Sequence, residues 1–378
     1  MKKVIALISV IALLITGCVL PEPPYVEVTT ETTVFEGRFY YEQLSNVDKN
    51  VYRELYQGIT ESLDKIYVHS TDGDRANEIL MSVIYDFPEV FWTDGSATAT
   101  TYGEKDQKGT YTVVEPVYAY AGETRAKMQQ EIDEAVQEII NSVPTEYDEY
   151  GKIKYIYEYL IGAVEYVENA PDSQNIYSTF VNRGTVCAGY AKANQYLLNE
   201  LGIGCTYVQG TANDGEVTDN HAWNIVKCND KYYYIDLTWA DPIPAEGEED
   251  SFHEMTYDYL CCSDSEIGWS HVLQEGYDYP ECTSDDLNYY RNHGMYYESI
   301  DRQQLLNAAK GSINEKSSST VYKFASKELY EQGKGVLLDD VLKSAARYLC
   351  EKYGLQSVTY NYLEEDKMNK MEVYWSYE

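Results

Sequence analysis

The sequence predicts an α+β fold, and two observations support this prediction. A run with helical spacing, 187–202, is followed by three strand-like runs with no helical run between them, at 205–212, 221–228 and 231–239. The last two are separated only by Asn229-Asp230, a dipeptide suited to a two-residue hairpin turn. A helix followed by antiparallel strands is the order of an α+β domain.

The first residues have the layout of an export signal. A basic start precedes an apolar run, 4–15, which is too short to span a bilayer comfortably. The run ends in Thr-Gly-Cys, as in a bacterial lipoprotein signal, where cleavage precedes a cysteine that carries lipid. We therefore expect a signal peptide over 1–18, a lipid on Cys18 and anchoring to a bacterial cell membrane outside the cytoplasm. The alternative is a plain signal peptide with a chance cysteine.

Composition and spacing divide the rest of the chain. Residues 19–35 are rich in Pro, Thr and Glu and predict an extended tether. Helical spacing over 46–68 and 75–85, followed by Thr-, Val- and Tyr-rich strand-like runs, predicts a small α+β domain over 36–122.

The central region, 123–297, is expected to be the catalytic domain. Apolar positions repeat at helical spacing over 128–143, and Pro144 ends that helix. The last region, 298–378, has a strand-like run, an amphipathic run at 336–354 and two more strand-like runs. This order predicts a small βαββ domain.

Charge excludes one class of partner. The formal net charge is −34, so the chain repels phosphate backbones and nucleic acid is not expected to bind. Forty tyrosines indicate folded domains with amphipathic surfaces, not an acidic disordered tail. A surface adhesin that uses these tyrosines is a further, weaker interpretation.

The chain has eight cysteines, and seven remain if Cys18 carries lipid. Seven is odd, so at least one stays free or pairs outside the chain. No C-x-x-C occurs, so no structural metal site is expected. Cys205 and Cys228 could form a cross-strand disulfide if their strands pair antiparallel.

Three residues are candidates for nucleophilic catalysis. Cys187 stands at the start of a helix, where unpaired N–H groups favour a thiolate and can bind an oxyanion. His221 begins a strand-like run and could act as its base, and Asp236 lies in the following run. With a turn at Asn229-Asp230, Asp236 is the diagonal neighbour of His221 on one face, within side-chain reach.

These three segments resemble the transglutaminase-like superfamily of papain-type cysteine acyl transferases and proteases. The matching pieces are "GTVCAGYAKANQYLLNELGI", "NHAWNIV" and "YYYIDLTWADP", within about 150–275. The resemblance implies a papain-like transglutaminase core, with a cysteine helix packed on an antiparallel sheet between smaller α+β domains. It implies that Cys187 is the nucleophile, His221 the base and Asp236 the orienting acid.

Other roles follow less directly. The Cys187 N–H is one expected oxyanion donor, and Gln174 could supply another, as a glutamine does in papain-like sites; an exposed loop glutamine is the alternative. Trp223 and Trp239 flank the triad and are expected to wall the cleft. His271 is expected to be structural.

The sequence thus predicts a lipid-anchored, cell-surface enzyme that forms a thioester on Cys187 from a protein, peptide or cell-wall peptide amide. Water as acceptor would make it a protease or deamidase, and an amine would make it a transglutaminase. No cofactor is required and nothing resembles a calcium loop. The alternative is a catalytically silent binding or scaffold protein that retains the fold. The oligomeric state is open.

Overall fold

The computed structural model describes residues 23–105, 107–241 and 255–377. The expected signal peptide, lipidated Cys18 and the first residues of the tether lie outside the described residues. Within the described residues, no helix is long and apolar enough to cross a membrane.

The N-terminal region packs two long helices against a small antiparallel sheet. The sheet has the strand order β1-β3-β2. The elements are α1 (Phe39–Glu42), α2 (Asn46–Thr60), β1 (Ile66–Val68), α3 (Gly73–Asp86), β2 (Ala97–Tyr102) and β3 (Tyr111–Pro116).

The predicted helix over 46–68 is too long. Helix α2 ends at Thr60, Ser62 takes a left-handed conformation with φ of 56°, and Ile66 begins a strand. Ile66 and Val68 are both fully buried on one face of β1. Apolar residues so spaced fit a strand as well as a helix, and pairing with β3 decides between the two.

The described part of the expected tether, 23–35, lies against this region instead of extending from it. Thr29 and Thr30 donate their backbone N–H groups to Gln57 Oε1, at 3.2 and 3.1 Å. Phe35 is fully buried among the helices. The Pro- and Thr-rich composition did not reveal these anchors, since each is a contact with residues distant in sequence.

The central region places three helices beside a five-stranded sheet of order β10-β6-β7-β8-β9. The helices are α4 (Gly122–Ser142), α5 (Glu149–Ala163) and α6 (Cys187–Glu200), with the short strands β4 (Glu165–Tyr166) and β5 (Gly184–Thr185) before α6. The sheet consists of β6 (Cys205–Asn213), β7 (Thr218–Cys228), β8 (Lys231–Ile235), β9 (Leu260–Cys262) and β10 (His271–Leu273). Short helices follow β8, β9 and β10: α7 (Leu237–Ala240), α8 (Asp264–Ile267) and α9 (Tyr289–Asn292). This helix-and-antiparallel-sheet arrangement confirms the α+β prediction.

The β7–β8 hairpin has the predicted register. Cys228 lies opposite Lys231, and Asn229 and Asp230 both have positive φ, 50° and 59°. Two such residues form the turn whose twist matches that of the strands. The ladder ends at the pair Asn224–Ile235, before it reaches Asp236.

The expected Cys205–Cys228 bridge is wrong. Both are free thiols, and Cys205 lies opposite Val226, two residues from Cys228. The strands pair as expected, but the two cysteines are not directly opposite each other.

The C-terminal region has a core of its own beneath a four-stranded sheet of order β11-β12-β14-β13. Its elements are β11 (Tyr296–Tyr297), α10 (Arg302–Glu315), β12 (Ser319–Phe324), α11 (Lys327–Val336), α12 (Leu342–Tyr353), β13 (Tyr360–Glu365) and β14 (Lys370–Trp375). A π-helical turn, Leu337–Val341, joins α11 to α12. The βαββ expectation left out the first strand, α10 and α11.

A buried charge cluster joins this region to the central sheet. Asp258, just before β9, accepts from Lys323 Nζ at 2.7 Å and also from Lys370 Nζ. Tyr290 donates its hydroxyl to the same carboxylate at 3.1 Å. All four side chains are buried, so the cluster fixes the C-terminal sheet against the segment that leads into β9.

Candidate active site

Cys187 is the first residue of α6, and the chain enters the helix through an extended Val186. The thiol is partly exposed, whereas Ala188 beside it is buried. A cysteine in the first helical turn lies among N–H groups that have no partner within the helix. It therefore experiences the positive end of the helix dipole.

Gly189 keeps the start of this helix close to the loop before it. A Cβ at this position would lie 1.8 Å from Thr185 Oγ1 and 2.9 Å from the Ser173 carbonyl oxygen. Only glycine permits this approach, which places Cys187 beside the loop that carries Gln174.

His221 lies on β7, opposite Gly210 of β6. Its Nε2 is 2.7 Å from Asp236 Oδ2, and Cys187, which lines the same cavity, lies close enough to raise the pKa of its imidazole. Because Asp236 occupies Nε2, Nδ1 is the nitrogen left for the thiol. One imidazole thus links the carboxylate to the thiol.

Asp236 caps a helix instead of continuing a strand. Its Oδ1 accepts from the backbone N–H groups of Thr238 and Trp239, at 2.9 and 3.2 Å, as the N-cap of α7. Its own N–H donates to the Tyr259 carbonyl oxygen at 3.1 Å. The expected strand position is therefore corrected: the cap holds one carboxylate oxygen and leaves the other for His221.

The electrostatics of this pair favour two charged groups. Burial lowers the pKa of His221, but the Asp236 carboxylate and the contact with Cys187 outweigh burial and raise that pKa to about 10. Burial raises the pKa of Asp236, but His221, and then His271, hold it well below its usual range. An imidazolium near neutral pH can stabilise a thiolate beside it.

His271 contacts the same carboxylate. Its Nε2 is 2.9 Å from Asp236 Oδ2, and its Nδ1 is 2.7 Å from Ser270 Oγ. The sequence treated His271 as structural, and no spacing rule links β10 to Asp236 across the intervening residues. The donor atoms of His221, Asp236 and His271 lie within 4.8 Å of one another, so this group could ligate a metal only by giving up the bonds between its members.

The two tryptophans pack around the imidazoles and do not wall the cleft. Trp223 is 1 % exposed and stacks on His221, with ring centroids 5.8 Å apart. Trp239 lies against His271, with centroids 4.7 Å apart. Neither belongs to the lining of the cavity at Cys187. The cleft-wall expectation is wrong because sequence adjacency to a triad residue does not say which way a side chain points.

A cavity of about 610 Å³ opens beside Cys187 and His221. None of the described residues that line it is a carboxylate, ammonium or guanidinium, although the chain is strongly acidic. The lining residues are Gln174, Cys187, Ala188, Tyr207, Gln209, Gly210, Thr211, Asn220, His221, Ala222, Val272, Leu273 and Gln274. Neutral amide and hydroxyl groups of this kind can hydrogen-bond a peptide or carboxamide.

Gln174 lies in this lining, but it is exposed. Its backbone carbonyl accepts from Lys192 Nζ at 3.0 Å, which ties the loop to α6. Tyr207 and Gln209 also line the cavity. Sequence reasoning missed both, because a tyrosine and a glutamine on a strand carry no signal among so many tyrosines.

Residues 133–237 match the family model described as the transglutaminase-like superfamily. This match includes Cys187, His221 and Asp236. No curated protein matches the chain significantly.

Solved structures resemble parts of the chain. A structure described as a TGase is 16 % identical with a TM-score of 0.26 and covers 46 % of this chain and 51 % of its own, so the chain spans about half of that protein. A proposed cysteine protease of Cytophaga hutchinsonii is 12 % identical, with a TM-score of 0.27 and coverage of 50 % and 80 %. The periplasmic domain of TgpA from Pseudomonas aeruginosa is 16 % identical, with a TM-score of 0.25 and coverage of 37 % and 62 %. On the family match, residues 133–237 of this chain are a transglutaminase-like domain.

Proposed function

We propose that this protein is a cysteine-dependent acyl transferase that acts on amide bonds, with Cys187 as nucleophile, His221 as general acid and base, and Asp236 as the group that orients His221. One observation carries the proposal. The imidazole of His221 contacts Asp236 through Nε2 and shares a cavity lining with Cys187, and its raised pKa keeps it protonated near neutral pH.

The reaction has two halves. The Cys187 thiolate forms a bond to the carbonyl carbon of the amide, and the carbonyl π electrons move to the oxygen, near the N–H groups at the start of α6. When the carbonyl re-forms, the carbon–nitrogen bond breaks and the leaving amine takes a proton from His221. Neutral His221 then removes a proton from water or a second amine, which displaces the thiolate. Water gives a carboxylic acid, and an amine gives a new amide.

The cavity lining supports an uncharged amide substrate, such as a glutamine side chain or a peptide bond of a protein or cell-wall peptide. Apart from Cys187 and His221, the lining is uncharged, so an uncharged substrate avoids the desolvation cost of an unpaired charge. The net charge of −34 disfavours nucleic acid as substrate.

The place of action follows from the N-terminal pattern. Cleavage before Cys18 and lipid on that cysteine would hold the enzyme at the outer face of a bacterial cell membrane. A variant Cys18→Ser is then released or left unprocessed, whereas the wild type enters the detergent phase. Mature protein cut well downstream of residue 18, without lipid, would remove the anchor.

Trapping of the acyl-enzyme tests the chemistry. Wild-type protein is mixed with a glutamine-containing peptide, and its intact mass is measured with and without a primary amine. We expect a thioester adduct that is absent from Cys187→Ala and present in Cys350→Ala, which removes a partly exposed thiol far from the site. Ammonia release without amine incorporation identifies water as the acceptor. Adducts that are equal in wild type and Cys187→Ala would favour a silent binding or scaffold protein.

A further inference from the structure

Tyr207 lines the active-site cavity, and its hydroxyl donates no hydrogen bond to a described residue. Tyr207 is on β6, is 2 % exposed and lines the cavity with Cys187. It packs with Cys187 and Ala188 in one small apolar cluster. Cys187 is also among the groups that act electrostatically on this hydroxyl. A buried phenol beside the nucleophile is therefore part of the site.

Gln209 holds the hydroxyl by its oxygen, and Tyr85 in turn holds Gln209. Gln209 Nε2 donates to Tyr207 Oη at 2.7 Å, and Gln209 Oε1 accepts from the Tyr85 hydroxyl at 3.2 Å. Because the Tyr207 oxygen accepts in this chain, its own O–H remains free to donate. Among the described residues no acceptor for that proton is found, and Tyr207 lines the cavity.

We propose that Tyr207 is a catalytic residue, which donates its O–H hydrogen bond to the oxyanion formed when Cys187 attacks the substrate carbonyl. The inference rests on the proposed function and adds a side-chain donor to the Cys187 N–H. As the carbon–sulfur bond forms, the carbonyl electron pair moves to oxygen and meets this O–H. The proton stays on Tyr207, and the bond weakens when the carbonyl re-forms and the leaving group departs.

Tyr207 fits this role better than Gln174. Gln174 is exposed, so its amide must be ordered when substrate binds, whereas Tyr207 is buried and already held by Gln209. Donors that are in place before the reaction stabilise developing charge most. Burial also raises the pKa of Tyr207 well above its usual range, so the hydroxyl keeps its proton at any pH at which the enzyme is folded and active.

Two reactions of the same thiol separate this role from a structural one. Acylation by p-nitrophenyl acetate passes through an oxyanion, and alkylation by iodoacetamide does not. For Tyr207→Phe we expect the burst of p-nitrophenolate to slow by about 100-fold or more. Alkylation of Cys187 should stay within about threefold of wild type, since the phenyl ring keeps the packing.

Tyr166→Phe is the matched control. Tyr166 also lies near Cys187, but it is not in the cavity lining, so both rates should stay near those of wild type. If Tyr207→Phe does not fold, Gln209→Met serves instead: it frees the hydroxyl and should slow acylation about tenfold, with alkylation unchanged.

Four outcomes are decisive. Selective loss of acylation in Tyr207→Phe supports the inference. A normal burst in that variant, or equal losses of acylation and alkylation, overturns it and leaves the proposed function intact. Loss of acylation in Tyr166→Phe but not in Tyr207→Phe overturns the inference and assigns the oxyanion donor to Tyr166. Absence of a burst in the wild type overturns the proposed function itself.

Discussion

His271 and His221 hydrogen-bond to the same oxygen of Asp236, at 2.9 and 2.7 Å. The other oxygen is occupied by the N-terminal N–H groups of α7. The buried carboxylate thus has donors on both oxygens before substrate arrives. His271 is a positioning residue in this arrangement, since it contacts Asp236 and not the thiol.

Substitution of His271 should lower the free energy of unfolding more than it slows the reaction. We expect His271→Leu to lower the free energy of unfolding by about 1–3 kcal/mol, because a buried carboxylate loses a donor. His271→Gln should recover part of this loss, since its amide can donate to Asp236. Urea unfolding of the three proteins measures the difference. Equal stability of wild type and His271→Leu would show that the contact contributes nothing.

Cys187 should be the reactive thiol of the described chain. At about pH 6 an ordinary thiol is almost fully protonated, but an adjacent imidazolium favours the thiolate. We expect iodoacetamide to label Cys187 at least about tenfold faster than Cys350, as read by peptide mass spectrometry. Burial raises the pKa of Cys228 and of Cys282 to about 12, so both should stay unlabelled in the folded protein.

His221→Ala is the matched variant for this labelling. Without the imidazolium, the rate at Cys187 should fall to within about threefold of that at Cys350. If Cys187 in the wild type is labelled no faster than Cys350, the prediction of a Cys187 thiolate beside a protonated His221 is wrong.

The His221–Asp236 pair should make stability depend on pH in a defined direction. The pKa of His221 is raised from 6.5 to about 10 on folding, so the stabilisation is complete below about 6.5 and declines as the pH rises towards about 10. The pKa of Asp236 is lowered on folding, so its contribution is lost in acid.

The difference in the free energy of unfolding between the wild type and His221→Asn isolates the contribution of the His221–Asp236 pair. We expect the excess stability of the wild type to fall between about pH 6.5 and 10, by at most about 1.4 kcal/mol per pH unit. An excess that stays constant over this range would show that His221 is neutral when folded.

The buried Asp258 should couple the C-terminal region to the active site. Asp258→Asn leaves Lys323 and Lys370 short of a charge partner, and we expect a loss of about 3–5 kcal/mol in the free energy of unfolding. Acylation should slow as well, because Tyr259 next to Asp258 accepts the backbone N–H of Asp236.

Asp340→Asn is the control for this change. It breaks an ion pair with Arg302 that is exposed, so the unfolding midpoint and the acylation rate should hardly change. Comparable losses in the two variants would mean that the Asp258 cluster has no special role.

The sequence by itself determined the elements whose rules are local. The helix that begins at Cys187 follows from apolar spacing, and the β7–β8 register follows from Asn229-Asp230, whose backbone preference allows one alignment of the strands. That register also led to the expectation that His221 and Asp236 are close.

Tertiary structure decided the rest. Asp236 lies beyond the β7–β8 ladder and caps α7. His271 lies on β10, and Trp223 is buried beneath the site. The expectation of an extended tether was wrong for the described residues 23–35 because Phe35 is buried against helices that are distant from it in the sequence. Tyr207 received its candidate role only from Gln209 and Tyr85, the second of which lies on a distant helix. Hydrogen-bond partners and burial depend on residues far apart in the chain, and no local spacing rule contains that information.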